Sequence, residues 1–317
     1  MNKNSLIYVT QHNDLIGASI TAELERQEYS RILTRSEDDL DLKDERAVEQ
    51  FFKQSKPEYV FCFAGPHGGI IRNSTYPADL IYANLRIQCN IIHNSYKYGV
   101  KKLLFMVGSC VYPKECPQPI LEEYYMAGKM EPTSVAYSTA RAAGIEMSLA
   151  YNRQYGTNFI PAVITNYYGP GDDYSDDGHV LASVLRKINQ AKEHGEPALT
   201  LWGTGEPRRQ FMYSGDIAKA AILIMNKYEG TELINIAGGE EFSISDLAFE
   251  LKNLTGYQGE ILFDAGKPNG TMRKLLDNTK LKALGFKEGV SFQEGLSALY
   301  KDYLNYGQTP QNREGIL

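Results

Sequence analysis

The chain has 317 residues, 43% of them hydrophobic, enough for a large core or for two modest domains, and a formal net charge of −6. That acidic balance argues against nucleic acid and anionic membranes as partners, and no apolar run approaches the roughly 20 residues of a membrane-spanning helix. The N-terminus lacks the long apolar stretch of a signal peptide, and Cys62, Cys89, Cys110 and Cys116 follow no metal-ligand spacing, so they read as reduced thiols of a cytoplasmic protein that binds no metal.

In chain order, residues 5–10 predict a strand, and Ile16, Ile20 and Leu24 carry a helical repeat over 17–27. The turn between them lies in YVTQHNDLIGASI and keeps one glycine, Gly17. A nucleotide-binding α/β protein normally crowds this turn with glycine so that the backbone can approach a pyrophosphate. Further strands at 30–34, 58–64, 102–107 and 158–165 alternate with helices at 44–55, 78–99 and 134–155. The alternation predicts right-handed βαβ units: an α/β fold with a doubly wound parallel sheet and helices on both faces. The run LLFMV in 102–107 is almost wholly apolar, as a strand buried on both faces should be.

After Gly169-Pro170 the pattern becomes irregular. GPGDDYSDDG reads as an acidic, turn-rich loop. A helix over 179–193 follows, then a strand ending at Leu201-Trp202, a helix over 215–227, a strand over 232–236 and two C-terminal helical segments. The tail GQTPQNREGIL reads as loose. We expect a nucleotide-fold domain over 1–168 and, mainly, a substrate-binding lobe over 169–317. The segment near 210–240 should return to the first domain, with the site in the cleft between the two.

Two stretches carry candidate chemistry. GSCVYP puts Ser109 and Cys110 directly after the fourth strand, at the carboxyl edge where open α/β sheets bind ligands. AYSTARAAG puts Tyr137 and Arg141 four apart, on one side of a helix. Together with GGIIRNSTYPADLIYANL, NRQYG, NYYGPGDD, WGTGEPRRQF and KPNGTMRKLLD, these stretches resemble the GDP-L-fucose synthase family of extended short-chain dehydrogenases/reductases. Matching stretches run from the first strand to about residue 300. The resemblance implies a 3,5-epimerisation of a GDP-4-keto-6-deoxyhexose followed by reduction at C4 with NADPH. It also implies a homodimer paired through the helices at about 80–99 and 134–155, whose apolar faces include Leu80, Ile81, Leu85 and Ile91.

Carried over residue by residue, the resemblance implies Cys110 and His179 as the epimerisation acid–base pair. It implies Arg209, Lys274 and Lys187 as positive charges on the substrate side, with Trp202 and Asn166 also at substrate-binding positions. The departures cluster on the cofactor side. The glycine turn reads Gln11, Asp14, Gly17; Asn13 and Glu37 replace two phosphate-binding arginines, with Arg35 near the second. The reductase triad of Ser, Tyr and Lys reads Gly108, Tyr137 and Arg141, although Ser109 could stand in if the turn shifts by one residue. Arg is larger than Lys and planar, so that swap is not conservative. Taken singly, such residues are ordinary core or surface groups; what gives them roles is that they fall together at matched positions.

These departures lead us to expect a cofactor-free C3 and/or C5 epimerase in which Tyr137, Ser109 or Arg141 stabilises the enolate and the site at Gln11, Asp14, Gly17 and Glu37 is degraded. One alternative is an NAD(P)-dependent epimerase/reductase in which Glu37 favours NAD over NADP. A second is a non-catalytic paralogue that binds nucleotide sugars.

Overall fold

The apolar runs of the first half form a parallel sheet covered on both faces. The computed structural model describes residues 1–175, 178–267 and 269–306. Its first half holds β1 (Ile7–Val9), α1 (Leu15–Arg26), β2 (Ile32–Leu33), α2 (Glu45–Ser55), β3 (Tyr59–Cys62), α3 (Ile70–Thr75), α4 (Pro77–Lys97), β4 (Lys102–Gly108), α5 (Val135–Tyr155), β5 (Phe159–Ile164) and β6 (Asn166–Tyr168). The second half holds α6 (Val180–Glu193), β7 (Ala198–Trp202), β8 (Arg208–Tyr213), α7 (Ser214–Lys227), β9 (Ile234–Ile236), β10 (Glu240–Ser243), α8 (Ile244–Thr255), β11 (Glu260–Asp264), β12 (Arg273–Lys274), α9 (Thr279–Ala283) and α10 (Phe292–Tyr306).

The main sheet has six strands in the order β2-β1-β3-β4-β5-β9, all parallel. β4 is central. Phe61 pairs with Leu104 on one edge and Phe105 with Pro161 on the other, and Lys102 to Val107 are buried. Such a strand offers no face to water, which is why its sequence does not alternate. One face is covered by α1 and α7, where Ile16, Ile20 and Leu24 share a core with Ile217, Ala221 and Ile224. The other face is covered by α2, α4 and α5, with Phe52, Ile91 and Ile145 in a second core. The doubly wound parallel sheet expected from the alternation is the fold observed. α7 and β9, from late in the chain, complete its far edge, where Val163 pairs with Asn235.

A third core, with Leu185, Leu247 and Leu296, joins α6, α8 and α10 into a smaller lobe. Its sheets are β10-β8-β12, with β6 also on β8, and the pair β7–β11. β6, β8, β10 and β12 did not show in the hydrophobic pattern. They are two to six residues long, and their ladder partners lie far away in sequence: Arg209 faces both Phe242 and Lys274. That register sets the two cations side by side at the edge of the cleft. The tail expected to be loose, 307–317, and residues 176–177 of the acidic loop lie outside the described residues.

Two glycines permit close approaches. At Gly17 an added Cβ would lie 2.2 Å from the Gln11 carbonyl oxygen, so α1 begins hard against the end of β1. At Gly144 a Cβ would lie 2.4 Å from the Phe105 ring and 2.8 Å from Gln88 Oε1, so α5 is pressed onto both β4 and α4. Gly144→Ala should therefore overpack this junction and lower the unfolding free energy by about 1–3 kcal/mol in denaturant titration. An unchanged midpoint would show that the junction can yield.

Candidate active site

The carboxyl edge of the main sheet faces the lobe. β4 ends at Gly108, and a single 3-10 turn, Ser109–Val111, carries the chain over the edge. Ser109, Cys110, Tyr137, Asn166, His179, Arg209 and Lys274, all expected at the site, line one cavity of about 300 Å³. Lys187 on α6 and Trp202 at the end of β7 do not line it. Trp202 is 53% exposed, with the Lys267 ammonium 5.1 Å from its ring centroid.

His179 occupies the N-cap position of α6, where its Nδ1 lies 2.9 Å from Asp172 Oδ1. Burial pulls its pKa down, but the Asp172 bond and charge, with Asp14 and Asp173 adding to them, leave it above the ordinary imidazole value. Asp172 is buried, and its Oδ2 has no hydrogen-bond partner among the described residues. Tyr137 stays a protonated phenol at neutral pH. Burial raises its pKa strongly, the nearby Arg141 charge opposes this, and Cys110 and Asp14 add to the rise. Burial also pulls Arg209 down to about 10, against the opposing charge of Glu131, and lowers Lys274, which sits close to Cys110.

Arg141 lies behind the cavity wall, 2% exposed. It donates to the Ala64 carbonyl at 2.7 Å, to Asn84 Oδ1 at 3.3 Å and to the Met106 carbonyl at 2.7 Å, with its guanidinium 5.0 Å from the Phe105 ring centroid. It reaches the cavity as a field on Tyr137.

Among the lining residues that escaped the sequence reading are Glu131 and His67. Glu131 pairs with Lys114 at 3.2 Å and accepts from Thr271 at 3.4 Å. His67 follows β3 in FAGPHGG. The carboxyl-edge rule that singled out Ser109 and Cys110 applies equally to this loop and would have found it.

From this cavity a groove runs back along the turn after β1. A space of about 190 Å³ is lined by Gln11, Asp14, His67, Arg72, Asp173 and His179. The next space, of about 390 Å³, is lined by Gln11, Asp14, Arg35, Glu37 and Asp38. His67 and His179 are shared with the first cavity, and Gln11 and Asp14 join the two groove spaces, so the three are continuous. Gln11 has φ +45°, a left-handed conformation that glycine would adopt without strain. Its side chain crosses the turn, accepting from Gly65 N at 2.9 Å and donating to Glu37 at 3.4 Å. Asp14 caps α1, accepting from Leu15 N at 2.7 Å, and so takes a helix N–H that a pyrophosphate would use. Arg35 donates to the Thr34 carbonyl at 2.7 Å. The place of the groove along the β1 turn and the backbone of that turn fit a dinucleotide; the carboxylates of Asp14 and Glu37 repel its phosphates. Among the described residues no group of three or more His, Cys, Asp or Glu could hold a metal ion, and no helix is long and apolar enough to cross a membrane.

The profile of the NAD dependent epimerase/dehydratase family matches residues 7–237. GDP-L-fucose synthase 1 of Arabidopsis thaliana is 42% identical over 304 residues, which span 96% of this chain and 94% of that protein. Among solved structures, a GDP-6-OMe-4-keto-L-xylo-heptose reductase from C. jejuni superposes with a TM-score of 0.90 at 33% identity, covering 96% of this chain and 99% of that one. A GDP-mannoheptose C4 reductase from Campylobacter jejuni, 35% identical with a TM-score of 0.87 over 96% of this chain and 99% of that one, has NADP bound. This corrects the expectation of no cofactor. Relatives that share the fold end to end hold NADP, and the altered turn here changes side chains while keeping the groove. The chain belongs to the NAD dependent epimerase/dehydratase family and groups within it with the GDP-L-fucose synthases.

Proposed function

We propose that this protein is a nicotinamide-dependent enzyme that epimerises a GDP-linked 4-keto sugar and reduces it at C4. The observation that carries this reading is the continuity of the cavity holding Cys110, Tyr137 and His179 with a groove along the β1 turn. It supports the epimerase/reductase over a cofactor-free epimerase.

Division of labour follows the sheets. Residues 1–168, with α7 and β9, carry the groove, and most of 169–317 carries the sugar nucleotide. Arg209 and Lys274, adjacent in the β8–β12 ladder, hold the diphosphate, and Asn166 contributes a side-chain amide to the same wall. Trp202 and Lys187, outside the sugar cavity, serve the nucleotide end, where the exposed indole offers a stacking face to a base.

Protons at C3 and C5 are acidic because both carbons flank the C4 carbonyl. Cys110 and His179 move them, His179 entering as the imidazolium that Asp172 stabilises. Tyr137 and Ser109 donate hydrogen bonds to the oxygen at C4, and the phenol of Tyr137 gives it a proton on reduction. Arg141 supports the resulting phenolate by its charge. When bound in the groove, the nicotinamide supplies the hydride for C4.

Incubation with a GDP-4-keto-6-deoxyhexose and NADPH or NADH should consume the reduced nicotinamide and give a C4-reduced product. No turnover with either cofactor sinks the proposal. Cys110→Ser should lower formation of the epimerised product by about 10²–10⁴-fold.

Asp14→Gly should tighten dinucleotide binding by about 5–10-fold in calorimetry, by removing a like charge worth about 1 kcal/mol or more. Glycine at an N-cap costs only a few tenths of a kcal/mol, so the helix should survive. Equal affinities would show that Asp14 swings clear of the phosphates.

We also propose a homodimer paired through α4 and α5. Leu80 and Ile91, counted above in the outward face, are buried within the chain at 2% and 0% exposure. The outward surface is instead a groove of about 440 Å³ lined by Tyr82, Leu85, Cys89, His93, Met147 and Tyr151. Sedimentation at micromolar concentration should give about twice the 35.6 kDa chain mass. A clean monomer would overturn it.

A further inference from the structure

Glu131 stands six residues before Tyr137, at the head of the short turn Pro132–Ser134 that leads into α5. Its side chain is 11% exposed and lines the sugar cavity, where it is the one carboxylate among the described lining residues. Oε2 faces the Lys114 ammonium at 3.2 Å and accepts from Thr271 at 3.4 Å, and Oε1 has the Thr133 hydroxyl at 3.5 Å. A carboxylate offers about four acceptor positions, so this one keeps room for a further donor. The neutral polar groups lining the same cavity are turned to the protein. Thr165 and Asn166 donate to the Gln210 carbonyl, and Asn73 donates to the carbonyls of Gly68 and Gly69.

The neighbours of Glu131 fix its place along the cavity. Its charge acts on both Arg209 and Lys274, the pair that holds the diphosphate in the proposed function, and Thr271 lies just before Lys274 in the chain. Glu131 therefore stands at the end of the cavity that receives C1, the carbon bearing the diphosphate. Lys114, rather than Arg209 or Lys274, is its ion-pair partner among the described residues. The carboxylate is thus neutralised from behind, and the two cations are left to the phosphates.

A 4-keto-6-deoxyhexose bound through C1 has two free hydroxyls, at C2 and at C3. The hydroxyl at C3 is carried by a carbon that inverts, so it changes direction during the reaction. The hydroxyl at C2 does not flank the C4 carbonyl and keeps its configuration from substrate to product. A fixed, buried acceptor beside C1 suits the hydroxyl that stays in place. We propose that Glu131 is a specificity-determining residue that accepts a hydrogen bond from the C2 hydroxyl of the sugar, holding the ring in one pose while the other carbons react. Sugars that lack this hydroxyl are then rejected, because they leave a buried carboxylate without its donor. The inference rests on the GDP-4-keto-sugar reading of the cavity, and the Cys110 and His179 pair keeps its role at both carbons.

The test is calorimetric titration of three probes: GDP, a GDP-6-deoxyhexose and the C2-deoxy counterpart of that sugar nucleotide. Each is titrated into wild-type protein, Glu131→Ala and Glu131→Gln. Wild-type protein should bind the C2-hydroxylated sugar about 10–100-fold more tightly than the C2-deoxy one, the range of a hydrogen bond to a charged group. Glu131→Ala should bring that ratio to within about threefold of one. Glu131→Gln keeps a neutral acceptor and should fall between the two. GDP affinity should not fall in either variant, since GDP carries no sugar for the carboxylate to read.

Circular dichroism checks folding. Lys114 is 41% exposed and stays solvated without its partner, and the isosteric Glu131→Gln carries the test if Glu131→Ala does not fold. A wild-type ratio near one overturns the inference, and so does a ratio that the variants leave unchanged. A parallel fall in GDP affinity also overturns it, by making Glu131 a positioning group for Arg209 and Lys274. Absence of C2 discrimination in a protein that turns over a GDP-4-keto-6-deoxyhexose sinks the inference alone. No turnover, together with no tighter binding of the sugar nucleotide than of GDP, removes the proposed function and the inference with it.

Discussion

The buried guanidinium of Arg141 is the tie on which the site's geometry depends. It reaches from α5 to the carbonyl of Ala64 just past the end of β3 and to that of Met106 near the end of β4. The loop carrying His67 leaves from the first of these strands, and the turn carrying Ser109 and Cys110 leaves from the second. Tyr137 lies one helical turn before Arg141 on the same helix. Three walls of the cavity are therefore clamped by one side chain. A buried charge without a carboxylate partner is costly. Here the carbonyl dipoles, Asn84 and the face of Phe105 offset that cost. Only a planar fork can span two strand ends at once; a lysine at this place would be a point charge free to reach toward a cofactor.

That exchange explains how the site can be altered on one side and kept on the other. Charges on the lobe side are positive, with Arg209 and Lys274 adjacent in a β ladder and partly buried. Those on the turn side are net negative, Asp14 at the head of α1 with Glu37 and Asp38 after β2 outnumbering Arg35. A diphosphate is drawn to the first end and held off at the second. His179 sits between them, drawing on both Asp172 and Asp14 for its proton. Asp14 thus acts twice, once on the groove and once, through its field, on His179 and Tyr137.

The parallel sheet could be read from the sequence because its strands are wholly apolar and its helices are long and periodic. Ser109, Cys110 and Tyr137 could be placed because the end of a buried strand and the same side of a helix are local facts. Lobe strands β6, β8, β10 and β12 were not visible, since strands of so few residues are defined by partners rather than by pattern. Leu80 and Ile91 looked like an outward dimer face and are core residues, because helical periodicity reports an apolar side without saying what lies against it.

By itself the sequence determined the fold class and the family, because these follow from periodicity and from motifs read along the chain. Tertiary structure alone decided that the turn with a single glycine still opens onto a continuous groove, and that Gln11 takes up the glycine-like conformation there. It also decided that Arg141 faces backbone carbonyls rather than the cavity, and that His67 stacks on His179 from more than 100 residues away. The physical reason is that burial and electrostatic fields are set by groups close in space. In a doubly wound sheet, those groups arrive from crossovers scattered along the whole chain.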